Sequence, residues 1–175
     1  MLTLDTTFEP LHEIPVADLF GAVGVYTIWA RGATHRPTYM GEGIILDRIS
    51  KHVKRWRTDM LGTAAILSDA GPHRDLAKPG GLLAEAFFLE LGELLGRKPL
   101  QNDAPGHVQL LRTAVEIHNI VRINVRGLHP FMHPENPRAR LSERAVCTVE
   151  LNDYDEFVFT TPWNARAVRR SSRNR

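Results

Sequence analysis

Three sets of side chains have types and spacings that could do chemistry. The first is a single acid, Glu90. In the apolar stretch Leu82–Arg97 each helical residue turns by about 100°. With Leu83 set at zero, Leu94, Phe87, Leu91 and Ala86 fall in an arc from about 300° to about 80°, and Glu90 falls inside it at about 340°. Glu85 and Glu93 fall outside the centre of that arc. A carboxylate in a buried stripe is costly unless a metal ion or a cation compensates it. Glu90 therefore reads either as a functional acid or as a core glutamate paired with an arginine.

The second set is Arg48 and His52, one turn apart and so neighbours on one helix face. They border a stripe of Ile45, Ile49, Val53 and Trp56, away from Asp47, Lys51 and Lys54. An arginine stays ionised, and its planar fork matches phosphate geometry. That suits it to the negative charge that builds when a phosphodiester is hydrolysed. Taken alone, the pair reads more simply as an ordinary interfacial contact. The third set is Tyr26 and Tyr39, with Gly24 and Gly41 beside them leaving room for a backbone or ligand to approach. Each tyrosine by itself says little; the conjunction of the three sets is what points to a site.

The elements that must position these residues can be read from the pattern. Val23–Ala30 is β-branched and aromatic and predicts a strand, and Thr38–Gly43 predicts a second, antiparallel to it. Ile44–Trp56 predicts an amphipathic helix, and Thr63–Leu67 a third short strand. A Gly/Pro-containing loop is expected through Gly81, then the helix Leu82–Arg97, stopped before Pro99. Further on, His107–His118 reads as helix and Ile120–Val125 as strand. Ala145–Leu151 and Glu156–Thr161 read as a hairpin about Asn152–Asp153. Residues 1–20 read as a lead-in, with Pro10 and Pro15 breaking any long element. The order β-β-α-β-α followed by a mixed extension predicts an α+β protein.

On these residues the chain resembles the GIY-YIG nucleases. The two signature triplets are Gly24-Val25-Tyr26 and Tyr39-Met40-Gly41, Arg48 follows Tyr39 by nine residues, and His52 occupies a position that holds His or Tyr in the family. In the stretch Glu85 to Asn102, Glu90 precedes Pro99 by nine residues and Asn102 by twelve, the spacing of the family's metal-site helix. The resemblance implies a small α+β core at 21–102, a three-stranded antiparallel sheet flanked by helices. A lead-in at 1–20 would precede it, and a C-terminal α/β extension at 103–175 would follow for substrate recognition. It further implies an endonuclease acting on DNA, double-stranded or branched, in a restriction-like, repair or mobile-element role. Glu90 would hold one Mg²⁺ or Mn²⁺, and Tyr26 would activate the attacking water. Tyr39, Arg48 and His52 would orient and neutralise the phosphate, and Asn102 would brace the site. Two departures stand out: Glu42 replaces a lysine common after the second triplet, and the loop from Asp69 to Gly81 is longer than in the repair members.

Bulk properties are compatible with this reading. The chain has 175 residues, 43% of them hydrophobic, and a formal charge of +2. No apolar run approaches the roughly 18 residues of a membrane span, the polar amino terminus does not resemble a signal peptide, and the lone Cys147 fits a reducing cytoplasm. Cation contacts to nucleic acid are expected from Arg48, Lys51 and Arg55 on the first long helix. Others are expected from Arg166, Arg169 and Arg170 in an arginine-rich tail. Cutting both strands would call for a homodimer. His129 and His133 lack further soft ligands for zinc, Cys147 reads as a small buried hydrophobe, and Trp163 as packed against the hairpin. The rival readings are a catalytically silent relative that binds nucleic acid, and an unrelated structural protein.

Overall fold

The computed structural model describes residues 1–30, 35–56, 61–67, 74–102 and 107–169, with the backbone alone at 53, 55, 56, 61–67, 74–79 and 164–169. Its first element is one that the reading of a lead-in missed. Leu2–Pro10 is a nine-residue strand, β1. It alternates cleanly, with Leu2, Leu4 and Phe8 packed on the core and Thr3, Asp5, Thr7 and Glu9 on the other face. Pro10 closes the strand rather than preventing it, since a proline is tolerated at a strand end. A one-turn 3-10 helix (Leu11–Glu13) and the short α1 (Val16–Leu19) lead into β2 (Val23–Trp29). Then come β3 (Tyr39–Ile44), α2 (Ile45–Trp56), β4 (Leu61–Leu67), α3 (Arg74–Leu94) and α4 (His107–His118). The chain goes on through β5 (Ile120–Gly127), β6 (Ala145–Leu151), β7 (Phe157–Thr161) and β8 (Asn164–Arg169).

The fold is mixed α+β, as the pattern predicts, but its sheet is larger than the three strands expected. The eight strands of the described residues form one sheet in the order β3-β2-β4-β1-β5-β6-β7-β8. The antiparallel trio β3-β2-β4 is one end of it. Two antiparallel halves meet at the parallel pair β1–β5, where Leu2 faces Val121 and Phe8 faces Gly127. β8 was also missed. Arg166 and Arg169 lie on this edge strand and not on a free tail, because the segment pairs with β7 through Val158–Val168. Arg170 lies outside the described residues.

α3 begins at Arg74, where a loop through Gly81 was expected. Pro79 and two glycines are poor helix formers, but propensity is a weak prior that tertiary packing overrides. From Leu83 to Leu91 every residue is buried, so the helix is apolar on all sides and must be surrounded. Val25 and Met40 of the sheet, Leu111 and Val115 of α4, and the C-terminal strands share its core. Phe88 packs edge-on against Phe8 of β1 and Phe87 against Phe159 of β7, with ring centroids 5.4 and 5.3 Å apart. A second, small cluster of Ile14, Leu19 and Ile45 holds α1 against α2.

The join of the two halves is tight. Gly127 has φ +77°, a conformation that costs little only without a Cβ. A Cβ there would collide with the Phe8 carbonyl oxygen, which accepts a hydrogen bond from Leu128 N–H at 2.8 Å. Gly127→Ala is therefore expected to destabilise the chain by about 2 kcal/mol or more. Urea denaturation of the variant beside the wild type measures this, and equal midpoints would contradict it.

Candidate functional site

The site begins with what the edge strand lacks. Tyr26 lies opposite Gly41 and Ile28 opposite Tyr39, so the two tyrosines stand diagonally on one face of the sheet. Their ring centroids are 6.1 Å apart. A Cβ on Gly41 would stand 2.5 Å from Tyr39 Cε1 and 2.7 Å from the Tyr26 hydroxyl. Both rings thus occupy the space that a side chain would fill. Gly43, at φ +129°, does the same for Arg48, whose Nε lies 2.9 Å from where its Cβ would be. Glycine at these two positions is what lets three large polar side chains converge over the edge strand.

α2 delivers the rest. His52 Nε2 lies 3.0 Å from the Tyr26 hydroxyl in a hydrogen bond, and its ring centroid is 4.5 Å from that of Tyr39. Arg48, one turn earlier, is exposed, as are Lys51 and Lys54. A cleft of about 320 Å³ opens here, lined in part by Glu42, Asp47, Arg48 and Lys51. Burial, followed by the Tyr39 neighbour, raises the Tyr26 phenol well above its ordinary value, while Arg48 acts in the opposite sense. Tyr39 is raised as well, first by burial and then by Glu85. Burial thus works against the water-activating role expected of Tyr26, since both phenols are held in the protonated form.

Asn102 fastens the strand from outside. Met40 N–H donates to its Oδ1 at 2.9 Å, and its Nδ2 donates to Met40 O at 2.6 Å. The side-chain amide therefore imitates a paired strand residue at the free edge of β3. Leu100 and Gln101 N–H continue this pairing onto the carbonyls of Pro37 and Thr38 at 3.1 and 3.0 Å.

The two glutamates of α3 need separate treatment. Glu90 is 6% exposed, and Glu85, placed by the helical wheel away from the centre of the apolar arc, is also 6% exposed. The wheel could not separate them, because a helix covered on every side has no solvent face for Glu85 to seek. It is Glu85 whose charge bears on Tyr26 and Tyr39. Glu90 lies five residues on, about 140° around the axis, and is not an isolated charge. Glu85 is pushed up to about 7, chiefly by burial and then by Glu42, with Arg48 opposing. His107 Nδ1 is 3.8 Å from it. Burial lowers His107, so both shifts favour the uncharged partners and the contact has little ionic character. Glu42 contributes a buried Oε2 that has no hydrogen-bond partner among the described residues.

Other singled-out residues have structural duties. His129 is buried, accepts Phe131 N–H on Nδ1 at 3.1 Å and stacks near Trp163 at 4.1 Å. His133 accepts Glu135 N–H on Nδ1. Cys147 is fully buried, and burial pushes its thiol up to about 12. The side chains of Arg55, Arg166 and Arg169 lie outside the described portion of the molecule. The chain matches no protein-family model, no curated protein and no solved structure.

The Glu85 shift has a definite sign. The folded chain holds this proton up to about pH 7 while the unfolded chain releases it near 4.5. Stability contributed by this group is thus lost as pH rises from about 4.5 to about 7 and is constant above. Glu85→Gln is expected to remove that loss, gaining on the wild type by about 3 kcal/mol across the window. Urea titrations from pH 4 to pH 8 measure it, and parallel curves for the two proteins would refute the assignment.

Proposed function

We propose that this chain is a GIY-YIG-type endonuclease, hydrolysing phosphodiester bonds in DNA with one divalent metal ion. The observation that carries the reading is the Tyr26–His52 hydrogen bond at 3.0 Å, with Tyr39 packed against the same imidazole and Arg48 beside them over Gly43. Two phenols and an imidazole in contact, with an exposed guanidinium that also lines a cleft, suit a phosphate group and a proton in transit. The antiparallel strands β3-β2-β4 at one end of the sheet would serve as the three-stranded core of such an enzyme.

The residues present fit a hard divalent cation. Glu42 Oε2 is buried with no hydrogen-bond partner among the described residues, and Glu85 is raised partly by the Glu42 charge. Negative charge therefore gathers here with the Arg48 guanidinium opposing it. Carboxylate oxygens suit Mg²⁺ or Mn²⁺, which commonly takes one or two protein carboxylates and fills its other positions with water and phosphate. Among the described residues no three His, Cys, Asp or Glu side chains converge as a ligand set. By the resemblance Glu90 would hold the ion. Glu85 is the carboxylate whose charge acts on both tyrosines, and Glu42 acts on Tyr39. When bound, the ion would supply Lewis-acid stabilisation of the phosphate.

The remaining steps belong to the chain's own groups. Arg48 holds a non-bridging phosphate oxygen, and Lys51 draws the backbone into the cleft. Since Tyr26 keeps its proton, it serves as a relay and not as the base. Its hydroxyl passes its own proton to His52 Nε2 as it accepts one from the attacking water, and histidine is suited to this near neutral pH. The water oxygen bonds to phosphorus, the bridging P–O bond breaks, and the departing oxygen is protonated by solvent.

The test is nicking of supercoiled DNA with Mg²⁺ or Mn²⁺. Arg48→Ala and His52→Ala are expected to cut at least about 100-fold more slowly. Mn²⁺ titration by calorimetry on Glu85→Ala and Glu90→Ala identifies the ligand, since the variant that loses the binding isotherm has lost the donor. Wild-type protein inert on supercoiled, linear and branched DNA with both metals would replace this reading with that of a silent nucleic-acid-binding relative.

A further inference from the structure

Phe20 is the most exposed phenylalanine of the described chain, at 82%, and Val16 four residues earlier is 71% exposed. Single exposed hydrophobics are ordinary, but this one is held out by a built turn. Ala22 N–H donates to Leu19 O at 3.1 Å, Phe20 has φ −67° and ψ 109°, and Gly21 has φ +72°. These are the angles of a type II turn, with the aromatic at its second position and the obligatory glycine at its third. Both ends are anchored. Leu19 is buried against Ile14 and Ile45, and Ala22 O accepts the Ile45 N–H at 3.0 Å. The backbone thus aims the side chain outward, and its exposure is a property of the turn.

Its position gives it a use. Val23, three residues on, lines the same cleft as Arg48 and Lys51, so the chain between Phe20 and the cleft is at most about 11 Å long. Of the charges nearby, Arg48, Lys51 and Lys54 are exposed cations on α2, opposed in equal number by the exposed Asp47 and Asp18 and by Glu42 of the cleft. An aromatic ring beside exposed arginine and lysine side chains matches a strand of nucleic acid, with phosphates on the cations and a base against the ring. We propose that Phe20 stacks on an unpaired or splayed base of the DNA held at the Arg48 cleft. It would thereby favour branched or partly single-stranded DNA over a continuous duplex. This rests on the nuclease reading and adds its substrate class.

The experiment uses the full-length chain in EDTA and fluorescein-labelled DNA of two kinds, a continuous duplex and a splayed fork of the same length, read by anisotropy across a salt series. A stacked base is worth about 1–3 kcal/mol. Phe20→Ala is thus expected to weaken fork binding by about 5- to 150-fold, with little change on the duplex and the same salt slope. Phe20→Trp should restore affinity. Gly21→Val, which cannot hold φ +72° without strain, should reproduce the Phe20→Ala loss. A 2-aminopurine at the fork should be quenched by wild type and not by Phe20→Ala. Equal loss on fork and duplex, or no loss on either, overturns the inference while leaving the nuclease reading intact. Wild type that binds neither DNA overturns both. A Phe20→Ala effect only on association with lipid vesicles or with another protein likewise sinks it.

Discussion

A helix that is apolar on every side has one way to satisfy itself, which is to be enclosed. α3 imposes that condition on the rest of the chain. The β3-β2-β4 strands can cover one flank; Phe8, Phe131 and Phe159 and the α4 residues Leu111 and Val115 must supply the others. The C-terminal half is therefore part of the core, whatever it also contributes to substrate recognition. The same enclosure decides the electrostatics. Between Leu83 and Leu91 an acid is taken out of water whichever way it points, and Glu85 and Glu90 are both affected. The Glu85–His107 contact forms between groups that burial drives toward neutrality.

The candidate site obeys the opposite rule and is made by omission. Gly41 and Gly43 remove side chains from an edge strand, and the vacated space is taken by Tyr26, Tyr39 and Arg48. An edge strand stripped in this way is a weak platform unless its outer hydrogen bonds are closed. Asn102 and the backbone of Leu100 and Gln101 close them. The spacing between α3 and Asn102 thus acquires a mechanical meaning, because the chain leaving the buried helix must return to the strand that carries the tyrosines.

Much of this was legible in the residues. The β2 and β3 strands, α2, α4 and the β6–β7 hairpin follow local periodicity, and the structure has them within a residue or two of the expected limits. The Tyr26, Tyr39, Arg48 and His52 group was legible because its members sit on short, strongly patterned elements joined by few residues. What escaped depends on distant packing. β1 has an unbroken two-residue alternation, yet Pro10 and Pro15 outweighed it while no partner strand was in view. The early start of α3 at Arg74 runs through a proline and two glycines that local propensity reads as loop. Glu85 escaped because a helical wheel presumes a solvent side. The extra signal was present in Ala84, Ala86, Phe88 and Leu89, which leave no polar face between them. β8 was hidden by arginines that read as tail, although Ala167 and Val168 alternate with them.

The parallel pairing of β1 with β5 sets the order in which this molecule can come into being. Residues 2–8 leave the ribosome more than a hundred residues before their partners at 121–127. Parallel contacts across so long a separation are slow to close, since the entropy of the intervening loop is spent before the contact returns anything. Until then α3 lacks part of its enclosure and β1 has a bare edge, the kind of surface that nascent chains hide with chaperones. Assembly of the tyrosine cluster can begin early, but the buried carboxylates acquire their final environment only when the second half closes over them. The nascent protein therefore holds its reactive groups in an unfinished setting, and their final electrostatics arise late, as one cooperative event.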